Sequence, residues 1–82
     1  MTKKRIAILG STGSIGVQAL DIAREHPEDF AVEVLTAANN SEDLVRQARE
    51  FIPNTVIIAN EDHYEIVSDA LPDLDIKVFA GS

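Results

Sequence analysis

The stretch "RIAILGSTGSIGVQALDIA", residues 5–23, decides the fold. It passes from a short apolar run through three of the chain's four glycines into a segment with helical spacing. Glycine is costly inside a helix or a strand, so its concentration between two such elements indicates a turn that needs bare backbone. The stretch therefore predicts a strand, a tight turn and a helix in immediate succession.

The rest of the chain repeats this alternation. Four apolar, β-rich runs are predicted strands: residues 6–9, 30–36, 55–59 and 76–79. Helical spacing predicts three intervening helices, which end at Pro27, at Pro53 and near Leu71. We therefore expect an α/β fold, a parallel Rossmann-like three-layer sandwich with helices on both faces and strand order 3-2-1-4. A complete doubly wound fold would continue past residue 82.

Composition limits the classes of function. The chain of 82 residues is 45% hydrophobic and 26% charged, as in ordinary globular domains. Its net charge of −7 argues against a nucleic-acid partner, and no apolar run approaches the ~18 residues of a membrane span. The absence of cysteine excludes disulfides and thiolate metal sites. Only four apolar residues follow the basic N-terminus, too few for a signal peptide, so we expect a cytoplasmic location.

The glycine-rich turn has the features of an anion site. A helix N-terminus offers unpaired N–H groups and a partial positive charge, which favour phosphate. We expect Gly10 to allow the tight exit from the strand and Gly13 to let a pyrophosphate approach the backbone. Gly16 should let the helix pack closely against the strand. The hydroxyls of Ser11, Thr12 and Ser14 add further donors.

The spacing of the glycines narrows the choice of nucleotide. G-x-x-G-x-x-G differs from the more familiar G-x-G-x-x-G, but a strand precedes it and a helix follows. No Gly-Lys-Ser/Thr closes the loop, so it is not an ATP-binding P-loop. A dinucleotide is the better candidate. The alternative is a tight turn that binds nothing.

The end of the second strand indicates which dinucleotide. NAD-preferring domains place a carboxylate there for the ribose 2′-hydroxyl. This chain has Ala38, Asn39 and Asn40 instead, with no carboxylate before Glu42. A carboxylate about 4 Å from a 2′-phosphate would be repelled by roughly 4 kcal/mol at an effective dielectric near 20. We therefore expect NADPH to bind more tightly than NADH, with a plain helix-capping loop as the alternative interpretation.

The segment "ILGSTGSIGVQALDIAREHPEDF" resembles the start of the 1-deoxy-D-xylulose 5-phosphate reductoisomerase family. The likeness includes the "ILGSTGSIG" loop, the pair Leu20-Asp21 and the step from Pro27 to Phe30. It is dense over residues 6–40 and continues more thinly to "KVFAGS". Residues 1–82 then form the N-terminal part of an NADPH-binding Rossmann domain, without the metal, substrate and C-terminal domains.

The resemblance implies an activity for the full-length protein. Members are NADPH-dependent oxidoreductases of non-mevalonate isoprenoid biosynthesis, which convert 1-deoxy-D-xylulose 5-phosphate into 2-C-methyl-D-erythritol 4-phosphate. They use Mg²⁺ or Mn²⁺ and are usually homodimers. Their metal ligands and substrate site match positions beyond residue 82, so we expect neither catalytic residues nor metal ligands here, and no activity from this chain alone.

The resemblance also implies cofactor contacts. In the family, residues matching Thr12, Gly13, Ser14, Ile15, Ala38, Asn39 and Asn40 contact NADPH. With the remaining loop residues, the predicted cofactor site comprises Gly10, Ser11, Thr12, Gly13, Ser14, Ile15, Gly16, Ala38, Asn39 and Asn40. Many members have Gly-Lys-Asn at 38–40, so this chain lacks the family's lysine. Two alternatives are the cofactor-binding part of another NADP-linked dehydrogenase and a freestanding nucleotide-binding module.

Overall fold

The computed structural model describes residues 3–81; residues 1, 2 and 82 of the predicted domain lie outside this range. Its elements are β1 (Lys4–Ile8), α1 (Ser14–Glu25), β2 (Phe30–Ala37), α2 (Ser41–Phe51), β3 (Thr55–Ile58), α3 (Tyr64–Ala70) and β4 (Lys77–Ala80). A short 3-10 turn, Glu61–His63, precedes α3. All strand pairs are parallel, so the predicted α/β fold with four strands and three helices is confirmed. None of the helices in this range is long and apolar enough to cross a membrane.

The predicted helix boundaries have clear physical causes. α1 ends shortly before Pro27, whose ring disfavours a helical conformation in the preceding residue. α2 begins after Asn40, whose side-chain oxygen accepts a hydrogen bond of 3.1 Å from the amide of Asp43. It ends at Phe51, and the next residue, Ile52, adopts a left-handed conformation with φ of 47° immediately before Pro53. These caps confirm the helix ends expected from the sequence.

The strand order is 1-2-3-4, so the predicted order 3-2-1-4 is wrong. β4 pairs with β3, through residues such as Val56 and Val78, and not with β1. Placing β4 beside β3 requires a displacement of one strand spacing, about 4.8 Å, whereas a position beyond β1 requires three, or ~14 Å. Consecutive strands are neighbours more often than not. As a result β1, which leads into the glycine-rich loop, lies at one edge of the described sheet.

The three helices form one layer over one face of the sheet. The core is a single cluster: Ile8, Leu20, Ala23, Val32, Leu35, Ala37, Leu44, Ala48, Val56, Ile58, Val67 and Leu71. On β3 the side chains alternate, with Val56 and Ile58 buried and Ile57 partly exposed, while Phe79 of β4 is 53% exposed. Each helix connects two neighbouring parallel strands by a right-handed crossover, and each crossover moves across the sheet in the same direction, so all three helices lie on the same face. Within residues 3–81 the expected three-layer sandwich is therefore a two-layer structure.

Two arginines connect neighbouring helical segments. Arg24 of α1 pairs with Glu50 of α2 through both carboxylate oxygens, and its guanidinium lies 5.3 Å from the ring centre of Phe51. The hydrogen bonds from Arg24 hold the pKa of Glu50 below its ordinary value. Arg49 of α2 pairs with Asp73, after α3, at 2.7 Å. Exposed ion pairs of this kind add little stability singly.

Candidate functional site

Two of the three loop glycines are required by the protein's own backbone. Gly10 has φ of +69°, a conformation that favours glycine, and it turns the chain out of β1. A methyl group at Gly16 would lie 2.3 Å from the carbonyl oxygen of Gly10 and 2.6 Å from Cα of Ser11. The structure thus assigns Gly10 and Gly16 the roles that the sequence predicted, a tight exit and a close approach of α1 to the loop.

Gly13 is different, because nothing in the protein requires glycine there. Its backbone is extended, with φ of −81°, and a methyl group would meet only the Gly10 carbonyl oxygen at 3.5 Å, an ordinary contact. An alanine would therefore fit the folded chain. The bare Cα at Gly13 leaves open space directly at the N-terminus of α1, where a ligand's phosphate would approach.

The amides of the loop divide into two sets. Those of Gly10, Ser11 and Gly13 donate to protein acceptors. Across residues 3–81, no protein acceptor receives a hydrogen bond from the amides of the second set, which comprises Thr12, Ser14, Ile15 and Gly16. The first hydrogen bond of the helix runs from the amide of Val17 to the carbonyl of Gly13, at 2.9 Å. The second set therefore comprises four N–H groups without a protein acceptor, of which those of Thr12, Ser14 and Ile15 belong to residues that are at least partly exposed, whereas Gly16 is buried.

The electrostatics of this terminus also suit an anion. α1 has no acidic residue in its first turn, although the chain carries 14 acidic residues. By contrast, α2 begins with Glu42 and Asp43, and the 3-10 turn begins with Glu61 and Asp62. Acidic side chains stabilise a helix N-terminus, so their absence from α1 leaves its partial positive charge uncompensated.

The loop's side chains contribute donors and an apolar surface. Ser14 is exposed and Thr12 is partly exposed, and within the described residues neither hydroxyl forms a hydrogen bond with the protein. Ile15 is 83% exposed on the first turn of α1. Burial of its side chain against a ligand would remove apolar surface from water. Contact between these residues and a cofactor stays a prediction.

The loop is held by two residues that the sequence reasoning missed. Thr36 of β2 accepts from the amide of Gly10 through its hydroxyl, at 2.9 Å, and from the amide of Ser11 through its carbonyl, at 2.7 Å. Gln47 of α2 accepts from the Ser11 hydroxyl at 2.6 Å and donates to the Ser11 carbonyl at 2.9 Å. Ser11 is fully buried, so its hydroxyl serves the anchor and does not face the ligand side of the loop.

The second predicted segment lies beside the loop. Ile8 pairs with Leu35 in the parallel sheet, so the residues that follow β1 and β2 lie together at the carboxyl end of the strands. Asn40 caps α2 with its oxygen and donates its amide group to the carboxylate of Asp43, at 2.9 Å. The helix-capping alternative thus describes Asn40 well. Asp43 is also paired with Arg46, at 2.7 Å, so that arginine is engaged on its own helix.

Asn39 has a different partner. Its side-chain oxygen accepts a hydrogen bond of 2.9 Å from the amide group of Asn60, the second residue after β3. The side chains of Ala38, Asn39 and Asn40 are all exposed. Their contact with a cofactor stays a prediction.

Within residues 3–81, three histidine or carboxylate groups lie close enough to share a metal ion at one place. His26, Glu28 and Asp29 have ligand atoms within 4.8 Å of one another in the turn between α1 and β2. All three are exposed. This turn precedes β2 and so lies at the opposite end of the parallel strands from the glycine-rich loop. Exposed groups of this kind occur commonly without a metal, and we assign this one no function.

A parallel sheet whose first strand leads through a glycine-rich turn into an uncapped helix N-terminus defines the phosphate-binding unit of a nucleotide-binding α/β domain. The family model described as 1-deoxy-D-xylulose 5-phosphate reductoisomerase matches residues 6–82, and the chain belongs to that family.

Curated relatives carry the same name. The reductoisomerase of Bacteroides fragilis is 56% identical over 80 residues, which are 98% of this chain and 21% of that protein. The reductoisomerase of Desulfitobacterium hafniense is 45% identical over 78 residues, 95% of this chain and 20% of that protein. The chain thus spans about one fifth of the length of the relatives it matches.

Solved structures share the fold. The 1-deoxy-D-xylulose 5-phosphate reductoisomerase from Zymomonas mobilis in complex with NADPH superposes with a TM-score of 0.93 at 30% identity, over 99% of this chain and 22% of that one. A second reductoisomerase, in complex with NADPH, fosmidomycin and magnesium, gives a TM-score of 0.90 at 34% identity, over 96% and 20%. The predicted family is therefore confirmed.

Proposed function

We propose that this chain is the NADPH-binding segment of a 1-deoxy-D-xylulose 5-phosphate reductoisomerase. The observation that carries the proposal is the set of four amides without protein acceptors, at Thr12 and in the first turn of α1, on either side of the bare Cα of Gly13. A pyrophosphate needs both features: donors for its oxygens and room to reach them. Solved relatives in complex with NADPH support the same assignment.

Each part of the site has a defined task in this proposal. The amides of Thr12, Ser14, Ile15 and Gly16 donate to the diphosphate, and the hydroxyls of Thr12 and Ser14 add donors. The exposed Ile15 packs against the cofactor. The segment of Ala38, Asn39 and Asn40 receives the adenosine end, where the lack of a carboxylate admits a 2′-phosphate. NADPH supplies a hydride, and this chain's residues bind and orient it.

The whole protein would catalyse the family's reaction. It converts 1-deoxy-D-xylulose 5-phosphate into 2-C-methyl-D-erythritol 4-phosphate for isoprenoid synthesis, as an NADPH-dependent oxidoreductase in the cytoplasm and as a homodimer. A divalent ion, Mg²⁺ or Mn²⁺, would be held by residues outside this chain. A relative in complex with magnesium supports this assignment. The 82 residues alone would bind cofactor without turning over substrate.

A charge substitution at the helix terminus tests the binding proposal. In Ser14→Asp, a carboxylate occupies the first turn of α1, where it stabilises the helix but repels a diphosphate. We expect NADPH affinity, measured by calorimetric titration, to fall by about tenfold or more, since close like charges cost more than about 1 kcal/mol. Thermal stability should stay unchanged or rise.

Ser68→Asp, the same substitution on α3, is the matched control and should leave NADPH affinity within about twofold, because it lies on a different helix, with α2 between it and α1. Wild-type chain that fails to bind NADPH, or Ser14→Asp that binds as well as wild type, would refute the proposal.

A further inference from the structure

We infer that Asn60 is a positioning residue that orients the side-chain amide of Asn39 and thereby sets the preference for a 2′-phosphate over a 2′-hydroxyl. The inference rests on the proposed function, because it concerns the same cofactor site. The inference assigns a role to a residue in the loop that follows β3, outside both predicted binding segments.

The orientation of Asn60 is fixed by the backbone. Its side-chain oxygen accepts a hydrogen bond of 3.0 Å from the amide of Asp62, where it caps the 3-10 turn. Its own backbone amide donates to the carbonyl of Ala38 at 2.9 Å, which holds the two strand exits together. A backbone amide is only a donor, so the atom of Asn60 that faces it must be the oxygen.

This arrangement determines which atom of Asn39 faces outward. With its oxygen engaged, Asn60 turns its NH₂ group toward Asn39 and donates to the Asn39 oxygen at 2.9 Å. The NH₂ group of Asn39 is then the end left for a ligand, and no described residue accepts from it. We call the two hydrogen bonds, from Asp62 to Asn60 and from Asn60 to Asn39, the relay; it leaves a donor, the NH₂ group of Asn39, facing outward.

A fixed donor favours the cofactor with the 2′-phosphate, because a hydrogen bond to an ionised oxygen is charge-assisted and stronger than one to a ribose hydroxyl. A phosphate offers only acceptors at its ionised oxygens, whereas a ribose hydroxyl both donates and accepts. Asn39 is the second residue after β2, in the region where dinucleotide-binding domains meet the ribose 2′ position. The oriented amide of Asn39 can therefore favour the 2′-phosphate although asparagine carries no positive charge.

Two substitutions at Asn60 test the relay. Asn60→Ser retains an oxygen that can cap the 3-10 turn but removes the donor to Asn39, so the Asn39 amide is free to rotate. We expect NADPH affinity to fall about three- to tenfold, the value of one neutral hydrogen bond, while NADH affinity changes less than about twofold.

Asn60→Asp should act more strongly. Its carboxylate accepts from Asp62 and also from Asn39, so the Asn39 amide inverts and presents its oxygen. We expect the NADPH:NADH affinity ratio to fall at least about tenfold, since the inverted amide and the added charge act in the same direction. Asn54→Asp is the matched control: it adds the same charge immediately before β3, at the opposite end of that strand from Asn60, and should leave the ratio unchanged.

A measurement without cofactor separates the relay from the binding proposal. Side-chain amide NMR signals of Asn39 should shift in Asn60→Ser and stay in place in Asn54→Asp. If NADPH and NADH both bind but their ratio is unaffected in Asn60→Ser, the relay is wrong while the proposed function stands. If neither dinucleotide binds to wild type, both ideas are refuted. Unshifted Asn39 signals in Asn60→Ser also overturn the relay.

Discussion

Alanine substitutions at Gly13 and Gly16 should have opposite consequences, although both remove a glycine from the same loop. At Gly16 the new methyl would lie 2.3 Å from one backbone atom and 2.6 Å and 2.9 Å from two others, all in Gly10 and Ser11. None of these atoms belongs to a flexible side chain, so α1 must move away. Overpacking of this kind costs about 1–3 kcal/mol, which we expect as a loss of unfolding free energy in Gly16→Ala.

Gly13→Ala should leave the fold almost unchanged. Its methyl meets a single atom at an ordinary 3.5 Å, and its φ of −81° and ψ of 172° suit any residue. The smaller entropy of the unfolded chain contributes about 0.4–1 kcal/mol of stability. Loss of a favourable N-cap residue offsets a similar amount. The net change in unfolding free energy should be below about 1 kcal/mol.

The effect of Gly13→Ala on NADPH should nevertheless be large. The methyl would stand between the diphosphate and the amides, and loss of one or two charge-assisted hydrogen bonds costs about 1.5–3 kcal/mol, or roughly 10- to 100-fold in affinity. Urea denaturation gives the stability, and titration of NADPH fluorescence gives the affinity. Wild-type affinity in Gly13→Ala would show that the bare Cα serves no ligand, and the reasoning about the site would fail.

Two other predictions concern the contacts that hold the fold. Gln47→Leu leaves the hydroxyl and the carbonyl of buried Ser11 without hydrogen-bond partners. We therefore expect the unfolding free energy to fall by about 1–3 kcal/mol and NADPH to bind more weakly. Gln18→Leu, on the exposed face of α1, is the control and should change neither quantity. Arg24→Gln should destabilise the chain near neutral pH, and its difference from wild type in urea denaturation should shrink as pH falls through the lowered pKa of Glu50. The sign follows because a carboxyl with a lowered pKa stabilises the fold only while it is ionised; a gap that widens in acid would contradict this.

Much of the fold was predictable because its signals are local. Apolar runs and prolines place the helices and strands within a few residues. The strand order was not predictable from these signals, since no residue pattern distinguishes a β4 beside β3 from one beside β1. The single helix layer follows from that order, so it was missed for the same reason. Lys77, which alternation places on the same face of β4 as the exposed Phe79, was the sequence's available hint of an open face.

The candidate site was predictable at its centre and less so at its supports. Gly10 and Gly16 play their expected roles because both depend on backbone geometry within one loop. Gln47 was missed although it interrupts the apolar stripe of α2 between Leu44 and Ala48, the position where a polar residue must find a buried partner. Asn60 was missed although the predicted strand order also placed β3 beside β2, because no sequence pattern shows that its side chain meets that of Asn39.

Both predicted halves of the cofactor site depend on α2. Its N-terminus is capped by Asn40 at the adenosine side, and Gln47 in its second turn forms hydrogen bonds with Ser11 on the diphosphate side. Because a helix of 11 residues moves nearly as a rigid rod, a rotation of α2 would displace both ends of the site together. Binding of one moiety of NADPH at one end of the site would thus pre-organise the other end, so the two moieties would bind cooperatively.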